Sequence, residues 1–275
     1  MNATVEDLTF RHSNSDRVVP VRRYSAQGTA RGWILFSVGF GGDRNGYAFF
    51  ARAWQAMGLT TFVVEHVGSN LEVLRSLPQK RRAERNAEVV RRVGDPAELK
   101  ARPQDLVLVW DHLWREFEGL PLGLGGHSYG SYTVLACAGL EPRLIKHGVQ
   151  PLPAESYLVI SPQPPGMVFE AEEFTRIDRS TLVMTGTRDH LLSGESGYRE
   201  RVAAYEFLPE EHRGLVVFQD FEHMDFAGVG LNLSGKLAAM KAAGELWWRS
   251  TLLNDGIWPG ELQSSVASEV LAQCE

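Results

Sequence analysis

Leu120-Pro-Leu-Gly-Leu-Gly-Gly-His-Ser-Tyr-Gly-Ser131 is the stretch from which the architecture of this chain follows. Its leucines alternate with small residues, which predicts a strand that another element can approach closely. Gly-x-Ser-x-Gly comes next, and the small apolar residues after Tyr132 predict a buried helix. A serine on a tight strand-to-helix turn has a strained backbone, and the flanking glycines relieve crowding. We interpret Ser128 as a candidate nucleophile; the alternative is a glycine-rich turn in which the serine has no chemical role.

The composition is that of an ordinary globular chain. It has 275 residues, 44% hydrophobic and 23% charged, which suits one large α/β domain over 1–275. A net charge of −6 disfavours nucleic acid or an anionic membrane as the main partner. No apolar run is long enough to span a membrane and no secretory signal precedes the first strand, so we expect a cytoplasmic protein.

Strands and helices alternate along the chain. The segments 4–11 and 17–24 flank a polar turn and predict an antiparallel hairpin at the edge of a sheet. The apolar runs 33–38 and 59–65 predict strands buried on both faces, with a helix between them. This βαβ order continues towards the C-terminus and predicts a mostly parallel central sheet flanked by helices. A shorter helix is expected after Gly256.

Residues 67–101 interrupt this alternation, and we interpret them as an insertion. The segment starts with apolar residues, among them Leu71 and Leu74, and continues into a highly charged run. It is too long for an ordinary connection. One interpretation is a lid or pocket wall whose apolar start, Leu71 and Leu74, faces substrate; the other is a solvated helical excursion. The next helix is expected to begin at Pro103, because proline suits a first helical position.

Chemically suitable side chains follow three of the predicted strands. Ser128, Asp189 and His223 each lie just after a strand end, and the carboxyl ends of parallel strands meet at one edge of a sheet. A neutral histidine can take the proton of a serine hydroxyl, and a carboxylate can orient that histidine. Asp220 and Asp225 are the competing candidates for the acid.

The remaining site residues are predicted from their positions beside these strand ends. The backbone N–H groups of Phe40, in a glycine-rich turn, and Tyr129, next to the serine, are candidates for an oxyanion hole. Gln163 follows another strand and is a candidate substrate contact. His66 is assigned to the pocket rim and His127 to packing. No cluster has metal-ligand spacing, so we predict neither a metal nor a cofactor.

Six motifs together resemble a known family. They are Ser37-Val-Gly-Phe-Gly-Gly, Glu65-His-Val-Gly-Ser-Asn, Arg102-Pro-Gln-Asp, Gly126-His-Ser-Tyr-Gly, Met184-Thr-Gly-Thr-Arg-Asp and His223-Met-Asp-Phe. They are similar to dienelactone-hydrolase-like serine hydrolases and the platelet-activating-factor acetylhydrolase group, over roughly residues 30–228. The resemblance implies an α/β-hydrolase fold and a Ser128–Asp189–His223 triad. Two positions depart from the family: Val38 stands where it usually has histidine, and Ser128 where dienelactone hydrolases proper have cysteine.

The sequence therefore predicts a carboxylic ester hydrolase of the EC 3.1.1 type, acting on a small-molecule ester or lactone through an acyl-enzyme. Two alternatives stay open at this point. One is an acyltransferase or thioesterase with the same triad, and the other is a non-catalytic ligand-binding protein on a hydrolase scaffold. The sequence does not indicate an oligomeric state.

Overall fold

The computed structural model describes residues 4–77, 81–192, 197–230, 233–255 and 270–273. Within these residues the strands are β1 (Val5–Arg11), β2 (Val18–Tyr24), β3 (Gly32–Ser37), β4 (Leu59–Val64), β5 (Leu122–His127), β6 (Ser156–Ile160), β7 (Ser180–Arg188), β8 (Arg213–Glu222) and β9 (Val270–Gln273). They form one sheet in the order β1-β2-β4-β3-β5-β6-β7-β8-β9. Strands β3 to β8 are parallel, whereas β1–β2, β2–β4 and β8–β9 are antiparallel pairs. The predicted mostly parallel sheet with an N-terminal hairpin is confirmed.

Helices cover both faces of this sheet. They are α1 (Ala48–Ala56), α2 (Leu71–Ser76), α3 (Arg82–Val93), α4 (Pro96–Leu113), α5 (Tyr129–Cys137), α6 (Ala171–Phe174), α7 (Arg199–Glu206) and α8 (Leu233–Thr251). In the described part of the chain, no helix is both long and apolar enough to cross a lipid bilayer.

The alternation of side chains along β3 separates two apolar cores. Trp33 and Leu35 face the core that contains α4 and α5, and Ile34 and Phe36 face the core that contains α1 and α8. All four side chains are buried. Because successive residues of a strand point to opposite faces, a continuous apolar run is what a strand between two helical layers requires.

Helix α4 begins earlier than the sequence predicted. It starts at Pro96, and the Asp95 side chain caps it by accepting a hydrogen bond from the Ala97 N–H at 2.9 Å. Pro103 therefore lies inside the helix, where it has no N–H for the carbonyl four residues before it. The Tyr132 hydroxyl donates to the Leu99 carbonyl instead. This tertiary contact explains why the helix continues through Pro103 and the prediction of its start was wrong.

The segment 67–101 contains α2, α3 and the beginning of α4. The Asn70 side chain caps α2 by accepting from the Val73 N–H at 3.3 Å. The helix expected after Gly256 falls partly on 256–269, which lie outside the described residues. Residues 270–273 form strand β9, paired with β8, so a helix there is wrong.

Candidate active site

Ser128 lies on the turn between β5 and α5 with φ 57° and ψ −117°. Such a backbone conformation is strained for a residue with a side chain. A side chain on Gly126 would collide with the Gly130 carbonyl, and one on Gly130 would collide with the Ser37 carbonyl. Both glycines of the Gly-x-Ser-x-Gly motif are therefore required by the close approach of β5, α5 and β3.

Three side chains from three strand ends form a hydrogen-bonded row. Ser128 Oγ lies 2.9 Å from His223 Nε2, and His223 Nδ1 lies 2.8 Å from Asp189 Oδ1. Asp189 is fully buried, whereas the His223 side chain is 24% exposed. With Asp189 ionised, Nδ1 carries the proton that it donates to the carboxylate, and Nε2 is free to accept the serine proton. The row has the geometry that nucleophile activation requires.

The competing acids lie elsewhere. Asp220 is exposed and pairs with Arg188 Nη2 at 2.9 Å. Asp225 accepts the Glu222 N–H at 2.8 Å in a capping interaction and pairs with Lys236. Both carboxylates are thus engaged in local structure, and the carboxylate on His223 Nδ1 is that of Asp189.

Several groups stabilise the ionised form of Asp189. Its Oδ2 accepts hydrogen bonds from Ser161 Oγ and from Thr185 Oγ1, the latter at 3.0 Å. Burial alone would raise the pKa of Asp189, but the hydrogen bond from His223 and the nearby charge of Arg201 outweigh it. The pKa therefore lies well below its ordinary value. Asp189 is therefore ionised at neutral pH.

Sequence reasoning missed Arg201. Its Nη1 donates to the carbonyls of Ser161 and Pro162, both at 3.0 Å, and the side chain is buried. The available signal was helical spacing: Arg201 lies three and four residues before Ala204 and Tyr205, which are both buried. A charged residue on the apolar face of a helix requires buried partners.

The two predicted oxyanion donors lie on the β3–α1 turn and at the start of α5, and these segments approach closely, since a Cβ on Gly39 would lie 3.4 Å from Ser128 Cβ. The N–H groups of Phe40 and Tyr129 have no hydrogen-bond acceptor among the described residues. The other N–H groups of the turn are engaged: Gly39 with Tyr47 Oη at 3.4 Å, Gly41 with the Ser69 carbonyl at 2.8 Å, and Gly42 with the Gly39 carbonyl at 3.1 Å. The turn is fixed while the Phe40 N–H remains available.

The histidines near the site have different roles. His127 is buried, as its assignment to packing implies, and its ring lies 4.8 Å from the His223 ring, centroid to centroid. Its Nδ1 is 2.8 Å from Tyr47 Oη. His66 is fully buried, so its predicted place at the pocket rim is wrong. It bonds instead to Ser37 and Asp105 within the protein.

The predicted substrate contacts, Leu71, Leu74 and Gln163, differ in their burial and in their neighbours. Leu74 packs against Gly41 of the β3–α1 turn, where an added methyl group would collide with it. Leu71 is at the start of α2 and is partly exposed. Gln163 is buried, and its Oε1 has no hydrogen-bond partner among the described residues. Asn86 of α3 donates to the Leu192 carbonyl at 3.3 Å, so the segment 67–101 also contacts the loop after Asp189.

No three His, Cys, Asp or Glu side chains within the described residues are arranged to hold a metal ion.

Solved structures with a similar backbone include three hydrolases. The esterase domain of a Rhodothermus marinus protein has 13% sequence identity and a TM-score of 0.60, covering 90% of this chain and 99% of that chain. Dienelactone hydrolase from Anabaena variabilis has 19% identity and a TM-score of 0.59, covering 90% and 99%. An α/β serine hydrolase without lid from Xanthomonas campestris has 18% identity and a TM-score of 0.57, covering 92% and 97%.

This chain has the α/β-hydrolase fold. No protein-family profile and no curated protein matches the sequence. In the α/β-hydrolase fold the nucleophile, acid and base follow one another along the chain. Ser128, Asp189 and His223 have that order, and each lies at the strand end where the fold has its site.

Proposed function

We propose that this protein is a serine hydrolase that cleaves carboxylic esters, lactones included, through an acyl-enzyme on Ser128. The observation that carries the proposal is the hydrogen-bonded row Ser128–His223–Asp189. The three similar structures, an esterase domain, a dienelactone hydrolase and a serine hydrolase, support the same reaction class.

In the acylation step, Ser128 Oγ attacks the ester carbonyl carbon while His223 Nε2 takes its proton. The electron pair of the C=O bond moves to oxygen, and the N–H groups of Phe40 and Tyr129 stabilise that oxyanion. Asp189 stabilises the imidazolium and holds its orientation. Collapse of the tetrahedral intermediate breaks the bond to the alcohol oxygen, which leaves with the proton from His223.

Deacylation repeats these steps with water. His223 Nε2 takes a proton from water as the water oxygen attacks the acyl carbon, and the same N–H groups hold the second oxyanion. Ser128 leaves with the proton returned by His223, and the carboxylic acid is released. An acyltransferase would differ only in the acceptor that replaces water, and a thioesterase only in its leaving group.

The test combines a fluorophosphonate probe with p-nitrophenyl esters of graded acyl length, lactones and thioesters. We expect covalent labelling of Ser128 and hydrolysis that Ser128→Ala lowers by about 10⁴-fold or more, because loss of the nucleophile disables the whole triad. Ser13→Ala, an exposed serine on the hairpin turn, is the control and leaves both readouts unchanged.

The outcomes separate the remaining alternatives. Faster turnover of thioesters, or acyl transfer to an added alcohol in preference to water, would assign the acyl-enzyme to the other enzyme classes. A Ser128 that does not react with the probe would favour a protein that binds a ligand without turning it over.

A further inference from the structure

Arg102 is a buried cation whose hydrogen-bond acceptors are all neutral oxygens. Its Nε donates to Thr133 Oγ1 at 3.0 Å and its Nη1 to Ser69 Oγ at 2.7 Å. Its Nη2 donates to Ser37 Oγ at 3.2 Å and to the Val38 carbonyl. Burial lowers its pKa to about 10, so the guanidinium is still charged at neutral pH. A charge held in this way is costly to bury, and its contacts indicate what it stabilises.

Two of those contacts lie on either side of residues 39–42, the turn that carries Phe40 and is called the oxyanion turn below. The Val38 carbonyl, held by Arg102, is where the chain leaves β3 for Phe40. Ser69, held by the same guanidinium through its hydroxyl, accepts the Gly41 N–H with its own carbonyl at 2.8 Å. Arg102 therefore connects Val38, two residues before Phe40, with Ser69, whose carbonyl holds Gly41, the residue after Phe40. The Val38 side chain has no hydrogen-bonding group, so this support is made through the backbone.

Arg102 also contacts the second oxyanion donor. Its guanidinium carbon lies 4.2 Å from the centroid of the Tyr129 ring, within the range of a cation–π interaction. Thr133 Oγ1, which accepts from Arg102, donates in turn to the Tyr129 carbonyl at 3.2 Å. The residue that follows the nucleophile is thus held at its ring and at its carbonyl.

A chain of hydrogen bonds, in which each donor is determined by its neighbour, orients the Arg102 guanidinium. Arginine only donates, so Ser37 Oγ accepts from Arg102 and donates its own proton to His66 Nε2, 2.9 Å away. His66 Nδ1 then donates to Asp105 Oδ2 at 2.9 Å. Arg17 holds Asp105 with two hydrogen bonds of 2.8 Å each. Ser37, His66 and Asp105 are fully buried, so solvent does not compete for these hydrogen bonds.

From these contacts we propose that Arg102, oriented by Ser37, His66 and Asp105, is a positioning residue that aligns the Phe40 and Tyr129 N–H groups on the oxyanion. The proposal rests on the proposed function, because it specifies how the oxyanion hole of that reaction is built. Hydrogen-bond donors that are already aligned strengthen when negative charge develops on the carbonyl oxygen. Arg102 therefore acts mainly in the transition state and little in ground-state binding.

The test measures kcat and KM separately with p-nitrophenyl butyrate for Arg102→Met and Ser69→Ala. We expect kcat to fall by about 10²-fold or more in Arg102→Met, as for loss of an oxyanion donor, with KM within about threefold. Ser69→Ala loses only one of the two supports, and we expect about a tenfold fall in kcat. Gln55→Met is the matched control: Gln55 is a buried polar residue that bonds the Ser25 carbonyl at 2.7 Å, away from the site, and its loss leaves kcat unchanged.

A second readout separates positioning from a general loss of structure. Ser128 Oγ adds to the carbonyl carbon of a trifluoromethyl ketone, and the ketone oxygen becomes an oxyanion. The inhibition constant of such a ketone should therefore rise in proportion to the loss of kcat/KM across the variants. A purely structural role would lower the amount of folded enzyme and leave the inhibition constant of that fraction unchanged. If Arg102→Met does not fold, the kcat and the inhibition constant of Ser69→Ala test the positioning role.

Failure of this proposal is distinct from failure of the proposed function. A wild-type protein that neither reacts with the fluorophosphonate probe nor cleaves esters rejects the hydrolase function. An active wild type, with kcat in folded Ser69→Ala and Arg102→Met within about threefold of it, overturns the positioning role alone.

Discussion

Arg201 Nε lies 3.4 Å from Asp189 Oδ1, and the two side chains are 5% and 0% exposed. Arg201 Nη2 lies 3.4 Å from His223 Nδ1, which already donates to Asp189. A positive charge is therefore fixed behind the carboxylate–imidazole pair, where little solvent screens it. It favours the ionised form of Asp189.

Turnover of two Arg201 variants tests this arrangement. Arg201→Gln loses the charge that favours ionised Asp189 together with the hydrogen bonds from Nη1 to the Ser161 and Pro162 carbonyls, so kcat should fall by about tenfold or more. Arg201→Lys keeps a positive charge beside Asp189, so it should retain more of the wild-type kcat than Arg201→Gln does. Steady-state kinetics measure both variants, and equal kcat values in folded Arg201→Gln and Arg201→Lys would contradict an electrostatic role for Arg201.

The acid assignment is tested by three parallel substitutions. Asp189→Asn should lower turnover by about 10⁴-fold, because the amide no longer stabilises the imidazolium or holds its tautomer. Asp220→Asn, on an exposed residue, should leave turnover unchanged. Asp225→Asn breaks a partly buried ion pair with Lys236 and should lower the melting temperature more than it lowers kcat. Steady-state kinetics and thermal unfolding of the three variants give the answer, and a crippled Asp220→Asn or Asp225→Asn would reassign the acid.

The insertion is tested through its apolar start. Leu74 packs on the oxyanion turn, so we predict that the segment forms one wall of the acyl or alcohol pocket. Leu71→Ala with Leu74→Ala should lower kcat/KM more for long or bulky esters than for acetate, because apolar contact with the longer chain is lost. Arg81→Glu, on an exposed residue of the same segment, is the control and should leave the profile for neutral esters unchanged. If a folded double variant keeps the wild-type chain-length profile, the segment is a solvated excursion.

Stability should fall on acidification well above the range where carboxylates titrate. Burial, with the charge of Arg102, lowers the pKa of His66 to about 3, and burial holds the pKa of His127 well below its usual range. Between about pH 6.5 and 4 the unfolded chain binds protons that these folded histidines do not, so the free energy of unfolding decreases as pH falls. Each histidine adds a slope of up to about 1.4 kcal/mol per pH unit.

Denaturant unfolding at several pH values between 6.5 and 4.5 measures this slope. We expect His66→Asn to reduce the slope of the free energy of unfolding against pH by up to about 1.4 kcal/mol per pH unit, the contribution of one histidine. The depressed pKa values of Asp105 and Asp189 act in another window, because their stabilisation is complete above the unfolded value of about 4 and is lost only below it. Thr133→Val removes an Arg102 partner without a titrating group and should shift stability equally at every pH. An unchanged slope in His66→Asn would mean that buried His66 accepts a proton.

Local patterns were sufficient to predict strands β1 to β8 and to place Ser128, Asp189 and His223 after strand ends. The apolar run of β3, the hairpin and the tight turn at Ser128 follow from spacing and glycine positions within a few residues. Because parallel strands end at one edge of a sheet, Ser128, Asp189 and His223 were expected together before their distances were known. The start of α4 was not predictable in this way, since the carbonyl freed by Pro103 is taken by Tyr132, far along the chain.

The sequence by itself determined strands β1 to β8, the tight turn at Ser128 and the order serine, aspartate, histidine, because these depend on local backbone preferences and on side-chain periodicity. Only the tertiary structure decided the partners of the buried charges. Arg201 lies behind Asp189, and Arg102 joins β3, α4 and α5 through Ser37, Ser69 and Thr133. The Arg102 hydrogen bonds join residues 31, 33 and 65 positions apart, and contacts over such separations leave no periodicity in the sequence. The burial of an arginine depends on which oxygens the folded chain brings to it.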